Sequence, residues 1–148
     1  MREALEQAKK AYVQGEVPVG AILVIKDKII SRGHNAVEML QDATAHAEMR
    51  CLQEASENIG NWRLLGATLY CTLEPCAMCA GAMFLSRIGT LVWGAPDLRH
   101  GADGSLYSLF DGQHPIHNIS VRKGVLAEEC SQLMKDFFLA RRACGKTI

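Results

Sequence analysis

The sequence of 148 residues lacks long apolar runs, an excess of either charge and a high content of aromatic residues. No stretch approaches the roughly 18 consecutive apolar residues of a membrane-spanning helix, and the first residues lack the apolar segment of a signal peptide. Sixteen basic and sixteen acidic side chains balance each other, which argues against a protein that coats nucleic acid non-specifically. We therefore predict a cytoplasmic protein that does not bind membranes.

The chain has no repeat, linker or low-complexity tract. Its length is typical of one domain, and such a domain can bury about 68–70% of the surface of its unfolded chain without cross-links. We therefore predict a single domain over residues 1–148. Its six cysteines are expected to be reduced in the cytoplasm, so a local cluster of them indicates metal binding or catalysis before it indicates disulfides.

Hydrophobic periodicity predicts an opening hairpin followed by strands that alternate with helices. Residues 2–15 show helical spacing of apolar residues, and two β-branched runs around Lys26–Lys28 predict a hairpin with strands near 20–25 and 29–33. The other predicted elements are a helix with Thr44 as its N-cap, a strand over 66–73, a helix from Pro75 to about Ser86, a strand over 90–95, a strand near 118–125 and a helix over 126–143. This order predicts an α/β fold in which a mixed sheet has helices on both faces.

Two short motifs contain the residues that indicate chemistry. His46 and Glu48 belong to "TAHAEM", and Cys76 and Cys79 follow Pro75 in "EPCAMC". The two cysteines are three residues apart on a predicted helix, so their sulfurs share one face near the helix N-terminus, where the dipole favours thiolates. If both helix starts face the same edge of the sheet, one imidazole and two thiolates form a zinc site whose fourth position is open to water. That arrangement is typical of catalytic zinc.

Glu48 is close enough to His46 to reach a zinc-bound water without binding the metal itself. Zinc can lower the pKa of water from about 15.7 to about 7, and a neighbouring carboxylate can accept the proton and pass it to a substrate. The H-x-E motif and the P-C-x-x-C motif that follows it thirty residues later match the zinc deaminase signature.

Other interpretations of the cysteine pair are less favoured. A Cys-x-x-Cys pair is commonly a redox pair or half of a structural zinc site, but no thioredoxin-like pattern surrounds this one, and a structural Cys₄ site needs a second such pair. The other four cysteines lack metal-ligand spacing and are typical of small buried residues, with the last of them exposed: Cys51, Cys71, Cys130 and Cys144.

Longer stretches resemble one family. "GEVPVGA", "TAHAEM", "TLEPCAMCAGAM" and "DFFLARR" are similar to the bacterial tRNA-specific adenosine deaminases of the zinc-dependent cytidine/deoxycytidylate deaminase superfamily, over about residues 3–142. The resemblance implies a three-layer αβα fold of the cytidine deaminase type with a five-stranded mixed sheet, one Zn²⁺ per subunit and a homodimer. It also implies hydrolytic conversion of the wobble adenosine, position 34 of an arginine tRNA anticodon, to inosine with release of ammonia.

The same resemblance implies roles for individual residues. His46, Cys76 and Cys79 would bind zinc, and Glu48 would transfer protons. The implied substrate-binding residues are Asn35, Ala47, Asp97, Phe138 and Arg142.

Several of these substrate-binding residues also have ordinary structural explanations. Asn35 and Asp97 are residue types that are common in turns. At least one residue of the Phe137–Phe138 pair is expected in the core. Arg141, Arg142 and Lys146 can bind phosphates, or they can be solvated cations at a helix C-terminus.

The substrate itself has alternatives. Residues 96–118 fit neither helical nor strand periodicity, so we regard them as a candidate substrate loop. A small enzyme with no duplex-opening module should act on an unpaired base, because extrusion from a duplex costs a few kcal/mol. A deaminase of guanine, cytosine or a free nucleoside would use the same zinc ligands. A third hypothesis, a catalytically inactive zinc module, is disfavoured by the intact Glu48.

Overall fold

The computed structural model describes residues 1–145. A first helix, α1 (Arg2–Val13), precedes the hairpin of β1 (Gly20–Ile25) and β2 (Lys28–His34). The remaining elements are the short helix α2 (Val37–Leu40), α3 (Ala47–Ile59), β3 (Thr68–Leu73), α4 (Ala77–Ser86), β4 (Thr90–Ala95), β5 (Ser120–Arg122) and α5 (Ala127–Ala143). All predicted helices and strands are confirmed, and α2 is an element that the periodicity did not predict.

The strands form one sheet in the order β2-β1-β3-β4-β5. The strand β1 pairs antiparallel with both β2 and β3, whereas β3, β4 and β5 are parallel. The prediction of a five-stranded mixed sheet is therefore confirmed. Parallel neighbours require a crossover connection, which α4 supplies between β3 and β4.

Two glycines of the hairpin allow a helix to pack tightly on each face of the sheet. A Cβ atom on Gly20 would lie 2.0 Å from the carbonyl oxygen of Ala4 in α1, and one on Gly33 would lie 2.2 Å from that of Ala47 in α3. Gly33 pairs with Ala21, the neighbour of Gly20, and consecutive residues of a strand face opposite sides. The helices α1 and α3 therefore cover opposite faces.

The hydrophobic core has two parts that correspond to these faces. The larger cluster joins α3 and α4 to the sheet through buried side chains such as Leu23, Leu52, Leu69 and Met83. On the other face, Leu5 of α1 packs with Ala95 of β4 and Cys130 of α5. The layers are thus α1 and α5, the sheet, and α3 and α4, which confirms the three-layer αβα fold.

Two predicted helix starts are wrong by a few residues. The helix α3 has His46 as its N-cap, while Thr44 donates its hydroxyl and its N–H to Asp42 Oδ1 at 2.7 and 2.8 Å. The helix α4 has Cys76 as its N-cap, since Cys76 is extended and forms a β-bridge with Gly101. Two of the three metal-ligand candidates, His46 and Cys76, therefore occupy N-cap positions.

The connection from β4 to β5 contains no named helix or strand, as predicted for the candidate substrate loop. Its first part folds back against the segment before α4, where the Ala102 N–H donates to the Pro75 carbonyl at 2.8 Å. Within residues 1–145, no helix combines the length and apolar character needed to cross a membrane.

Candidate metal centre

The structure brings His46, Cys76 and Cys79 together. Each cysteine Sγ lies 3.6 Å from the His46 Nδ1, and the three potential ligand atoms lie within 4.8 Å of one another. Tetrahedral zinc, with bonds of about 2.3 Å to sulfur and about 2.05 Å to nitrogen, separates the two ligand atoms by roughly 3.6 Å. The three donors therefore fit one Zn²⁺.

Electrostatics around the cysteines also fit a cation. Hydrogen bonding with the Cys79 thiol and with His46 outweighs burial and lowers the pKa of Cys76 to about 4. The hydrogen bond between His46 and Cys76 raises the pKa of His46. The hydrogen bond from the Cys79 thiol to Cys76, together with burial, raises the pKa of Cys79. The three side chains thus share protons at the position that a metal ion can occupy, and the ion would replace those protons.

Glu48 lies in the first turn of α3 and is only 3% exposed. Burial raises the pKa of its carboxyl group to about 7. A pKa near neutrality allows a carboxyl group both to accept and to donate a proton at the operating pH. Glu48 therefore has the location and the pKa of a proton-transfer group beside the metal ligands.

Asn35 ends the hairpin next to this centre. Its N–H donates to the Val19 carbonyl, and the N–H of the following Ala36 donates to the carbonyl of Ala45, both at 3.0 Å. These bonds place Asn35 beside the segment that leads into His46. The side chain is buried and its Nδ2 donates to Glu16 Oε2 at 3.3 Å.

Asp97 begins the loop on the other side of the centre. Its Oδ1 accepts the N–H groups of Arg99 and His100 at 3.0 and 3.2 Å, so the carboxylate stabilises a tight turn. The Asp97 N–H donates to Glu74 Oε2 at 3.0 Å. The turn explanation thus describes contacts that exist, while a role in substrate binding stays a prediction.

Glu74 is a buried carboxylate that sequence reasoning missed. It accepts the N–H groups of Asp97, Asp103 and Ser105 at 3.0, 2.9 and 3.1 Å, and also the Ser105 hydroxyl. Burial raises the pKa of Glu74, but these hydrogen bonds outweigh it and lower the pKa below its ordinary value. Glu74 therefore holds the loop against the segment that contains the Cys76 ligand.

A signal for Glu74 exists in the sequence. Glu74 is the one charged residue between the apolar strand β3 and Pro75. A carboxylate that is buried at such a position needs several hydrogen-bond donors. Gly101 is a second part of the same arrangement, because a Cβ atom there would lie 2.4 Å from the Glu74 carboxyl carbon.

The other predicted substrate-binding residues, Ala47, Phe138 and Arg142, differ in how much of each side chain is exposed. The Ala47 methyl group is fully buried, so this residue can offer a substrate its backbone N–H at the start of α3 but not its side chain. Phe137 is buried and packs edge-to-face on Tyr12 at 5.5 Å between ring centroids. Phe138 is partly exposed and Arg142 is exposed at the end of α5, and Lys146 lies outside the described residues.

Comparisons with known proteins agree with this geometry. The family model of the cytidine and deoxycytidylate deaminase zinc-binding region matches residues 1–95. The chain is 51% identical to the tRNA-specific adenosine deaminase of Bacillus subtilis (strain 168) over 138 residues, which cover 93% of this chain and 86% of that protein. It is 52% identical to the chloroplastic tRNA(adenine(34)) deaminase of Arabidopsis thaliana, where the match covers 95% of this chain and 12% of that protein.

Solved structures are similar as well. A structure from a study of A-to-I editing by tRNA:A34 deaminases has a TM-score of 0.86 and 41% identity, and the match covers 90% of this chain and 96% of that chain. A guanine deaminase from Nitrosomonas europaea has a TM-score of 0.79 at 22% identity, with 90% of this chain and 80% of that chain covered. The second similarity concerns the fold alone.

Replacement of one ligand should remove the metal. We expect Cys79→Ser to lower the zinc content from about one ion per chain to well below one, because serine does not replace a thiolate in a three-ligand site. Metal analysis of purified protein by mass spectrometry measures this. The matched control is Cys144→Ser, which changes an exposed cysteine at the end of α5. Equal zinc content in the two variants would contradict the assignment.

Replacement of Glu74 should loosen the loop. Glu74→Gln leaves buried N–H groups without a full set of acceptors, so we expect it to lower the free energy of unfolding by about 3 kcal/mol. Ser105→Ala removes one of the four hydrogen bonds and should cost about 1 kcal/mol. Urea unfolding of the two variants and the unmodified protein measures both changes. A loss for Glu74→Gln no larger than that for Ser105→Ala would show that the carboxylate does not hold the loop.

Proposed function

Since this chain belongs to the tRNA-specific adenosine deaminases of the cytidine and deoxycytidylate deaminase family, we propose that it hydrolyses the wobble adenosine 34 of an arginine tRNA to inosine and ammonia. The observation that carries this proposal is the buried Glu48, with a pKa of about 7, beside three donors spaced for zinc. A centre with three protein ligands and an adjacent proton-transfer group is suited to hydrolysis rather than to structural support.

The chain's own residues supply ligands, proton transfer and orientation. His46, Cys76 and Cys79 would hold Zn²⁺, which supplies a Lewis acid that makes water easier to deprotonate. Glu48 would accept a proton from the attacking water and deliver it to the purine ring nitrogen N1. It would then take the remaining proton of the hydroxyl group added at C6 and deliver it to the departing amino group, so that C6 keeps the oxygen as a carbonyl. One water is consumed and one ammonia is released, so the Glu48 carboxyl ends the cycle in its starting state.

Burial of Glu48 is central to this role. A solvent-exposed glutamate has a pKa near 4.3 and would rarely be protonated at neutral pH. Burial raises the pKa of Glu48 toward neutrality, and a carboxyl group whose pKa lies nearer the operating pH both accepts and donates a proton more readily.

Residues that follow strands on both sides of the centre are candidates for holding the nucleotide. Asn35 follows β2 and Asp97 follows β4, and we propose that they contact the target nucleotide, together with the Ala47 N–H. Phe138 and Arg142 on α5 are accessible for contacts with the flanking RNA, where aromatic rings can stack on bases and arginine can bind phosphate. An anticodon stem-loop meets the requirement for an unpaired base.

Deamination of free guanine or cytosine is the alternative activity. The structural similarity to a guanine deaminase at 22% identity extends to the fold only. Identity of 51% to a tRNA-specific adenosine deaminase over most of both chains favours the tRNA substrate.

The activity test uses a synthetic arginine anticodon stem-loop beside free adenosine, guanine and cytidine, with products identified by mass. We expect inosine in the RNA alone. Glu48→Ala should retain about one zinc per chain and lose at least about 10²-fold in rate, because the proton-transfer group is removed while the ligands remain. Turnover of a free base without turnover of the RNA would assign the protein to the alternative activity.

We also propose that the active form is a homodimer. An apolar groove between α3 and α4 is lined by Met49, Leu52, Trp62, Ala82 and Leu85, and Trp62 and Leu85 are exposed. Exposed apolar surface of this kind is typical of a protein interface. A second copy of this chain is the occupant that the resemblance to a homodimeric family favours.

A charge placed in this groove should separate the subunits. We expect Leu85→Glu, at a side chain 59% exposed, to shift the mass measured by light scattering from dimer to monomer, since burial of an unpaired carboxylate is costly. Leu139→Glu is the matched control, because Leu139 is 58% exposed on α5 and lies outside the groove. A dimer that persists in Leu85→Glu, or a monomer in the unmodified protein, would contradict this interface.

A further inference from the structure

Glu16 is a second buried carboxylate, and it lies outside the set of metal ligands and proton-transfer groups. It lies in the connection from α1 to β1 and is 1% exposed. Its Oε1 accepts the Met39 N–H at 2.7 Å, and its Oε2 accepts the Glu38 N–H and the Asn35 Nδ2, both at 3.3 Å. All three donors belong to the chain that follows β2.

The surroundings of Glu16 do not neutralise it with a cation. Among residues 1–145, the ion pairs within 4.0 Å do not include Glu16. A buried carboxylate without a cationic partner depends on hydrogen-bond donors for its stability. The three N–H groups are therefore what keeps Glu16 buried, and Glu16 in turn restricts the groups that donate to it.

The restriction on Asn35 is directional. An amide side chain carries an acceptor on one side and a donor on the other, and it can exchange them by rotation. Each carboxylate oxygen of Glu16 already accepts one backbone N–H group. Both oxygens therefore act as acceptors, and Glu16 offers Asn35 no donor. The NH₂ group must face Glu16, which leaves Oδ1 and the second N–H of Asn35 to face elsewhere.

We propose that Glu16 is a positioning residue that locks the orientation of the Asn35 amide, so that Asn35 presents a fixed Oδ1 acceptor and one N–H donor to the substrate nucleoside. This inference rests on the proposed function. A nucleoside hydroxyl both donates and accepts hydrogen bonds and is matched by such a pair. Donation to a carboxylate also polarises the amide, which makes Oδ1 a stronger acceptor.

Glu16 has a second structural role from which this one must be separated. The N–H groups of Glu38 and Met39 lie at the start of α2, so Glu16 also satisfies the first turn of that helix. Loss of this contact would alter the segment after Asn35 irrespective of amide orientation. A test must therefore show that Glu16 acts through the Asn35 side chain.

A double-mutant cycle provides that test. Steady-state kinetics on the anticodon stem-loop would compare Glu16→Gln, Asn35→Ala and the double variant, each with its zinc content measured. Glutamine has the same shape as glutamate but offers both a donor and an acceptor, so Asn35 can rotate. We expect Glu16→Gln to lower kcat/KM about tenfold, mainly through KM, and to change it less than about twofold in the Asn35→Ala background. An equal loss in both backgrounds would overturn the inference in favour of the α2 contact alone.

Two further variants serve as controls for unfolding and for non-specific effects of charge. Glu16→Asp keeps an acceptor-only group, so its kcat/KM should lie closer to that of the unmodified protein than that of Glu16→Gln does. Glu38→Gln makes the same chemical change on an exposed neighbour and should leave kcat/KM within about twofold of the unmodified value. A Glu16→Asp loss as large as that of Glu16→Gln would count against a requirement for an acceptor-only group.

A spectroscopic measurement tests the contact without turnover. The side-chain ¹⁵N–¹H signals of Asn35, assigned by their disappearance in Asn35→Ala, should shift in Glu16→Gln and stay in place in Glu38→Gln. Unchanged Asn35 signals in Glu16→Gln would overturn the inference. Failure of the unmodified protein to deaminate the stem-loop would instead overturn the proposed function, so the two failures are distinguishable.

Discussion

The metal centre depends on how closely α3 can approach β2. Gly33 lies under the first turn of α3, and a Cβ atom there would come within 2.2 Å of the Ala47 carbonyl oxygen. Any side chain at this position would push the N-terminus of α3 away from the sheet, and His46 with it. Since the His46 Nδ1 must stay about 3.6 Å from the sulfurs of Cys76 and Cys79, at and just inside the start of α4, to share one zinc ion with them, this close packing is a condition for metal binding.

Two buried carboxylates arrange the loops around that centre by the same physical rule. A carboxylate removed from water is stable when several N–H or O–H groups donate to it. Glu74 gathers donors from residues 97–105, and Glu16 gathers donors from residues 35–39. Each loop thus takes its shape from a carboxylate in a different part of the chain.

The carboxylate of Asp103, in the loop after β4, forms a further set of contacts. Asp103 Oδ2 accepts the indole N–H of Trp93 at 2.7 Å and lies 3.1 Å from the Lys123 Nζ. The Lys123 Nζ also donates to the Asp103 carbonyl at 2.8 Å. Asp103, which follows Asp97 in the same loop, therefore connects that loop to β4 and to the turn after β5.

The sequence by itself determined the order of the helices and strands other than the short α2, and it identified His46, Cys76 and Cys79 as metal-ligand candidates with Glu48 nearby, because periodicity and motif spacing are local properties of the chain. It also placed the helix starts too early, at Thr44 and Pro75, since the bridge from Cys76 to Gly101 and the hydrogen bonds of Thr44 to Asp42 are made by groups whose positions depend on the folded chain. The tertiary structure alone decided that Glu16 is an organising residue, which groups donate to Glu74, and that Phe137, rather than Phe138, belongs to the core. Burial and hydrogen bonding between distant segments decide such roles, and neither quantity has a period or a spacing that can be read along the chain.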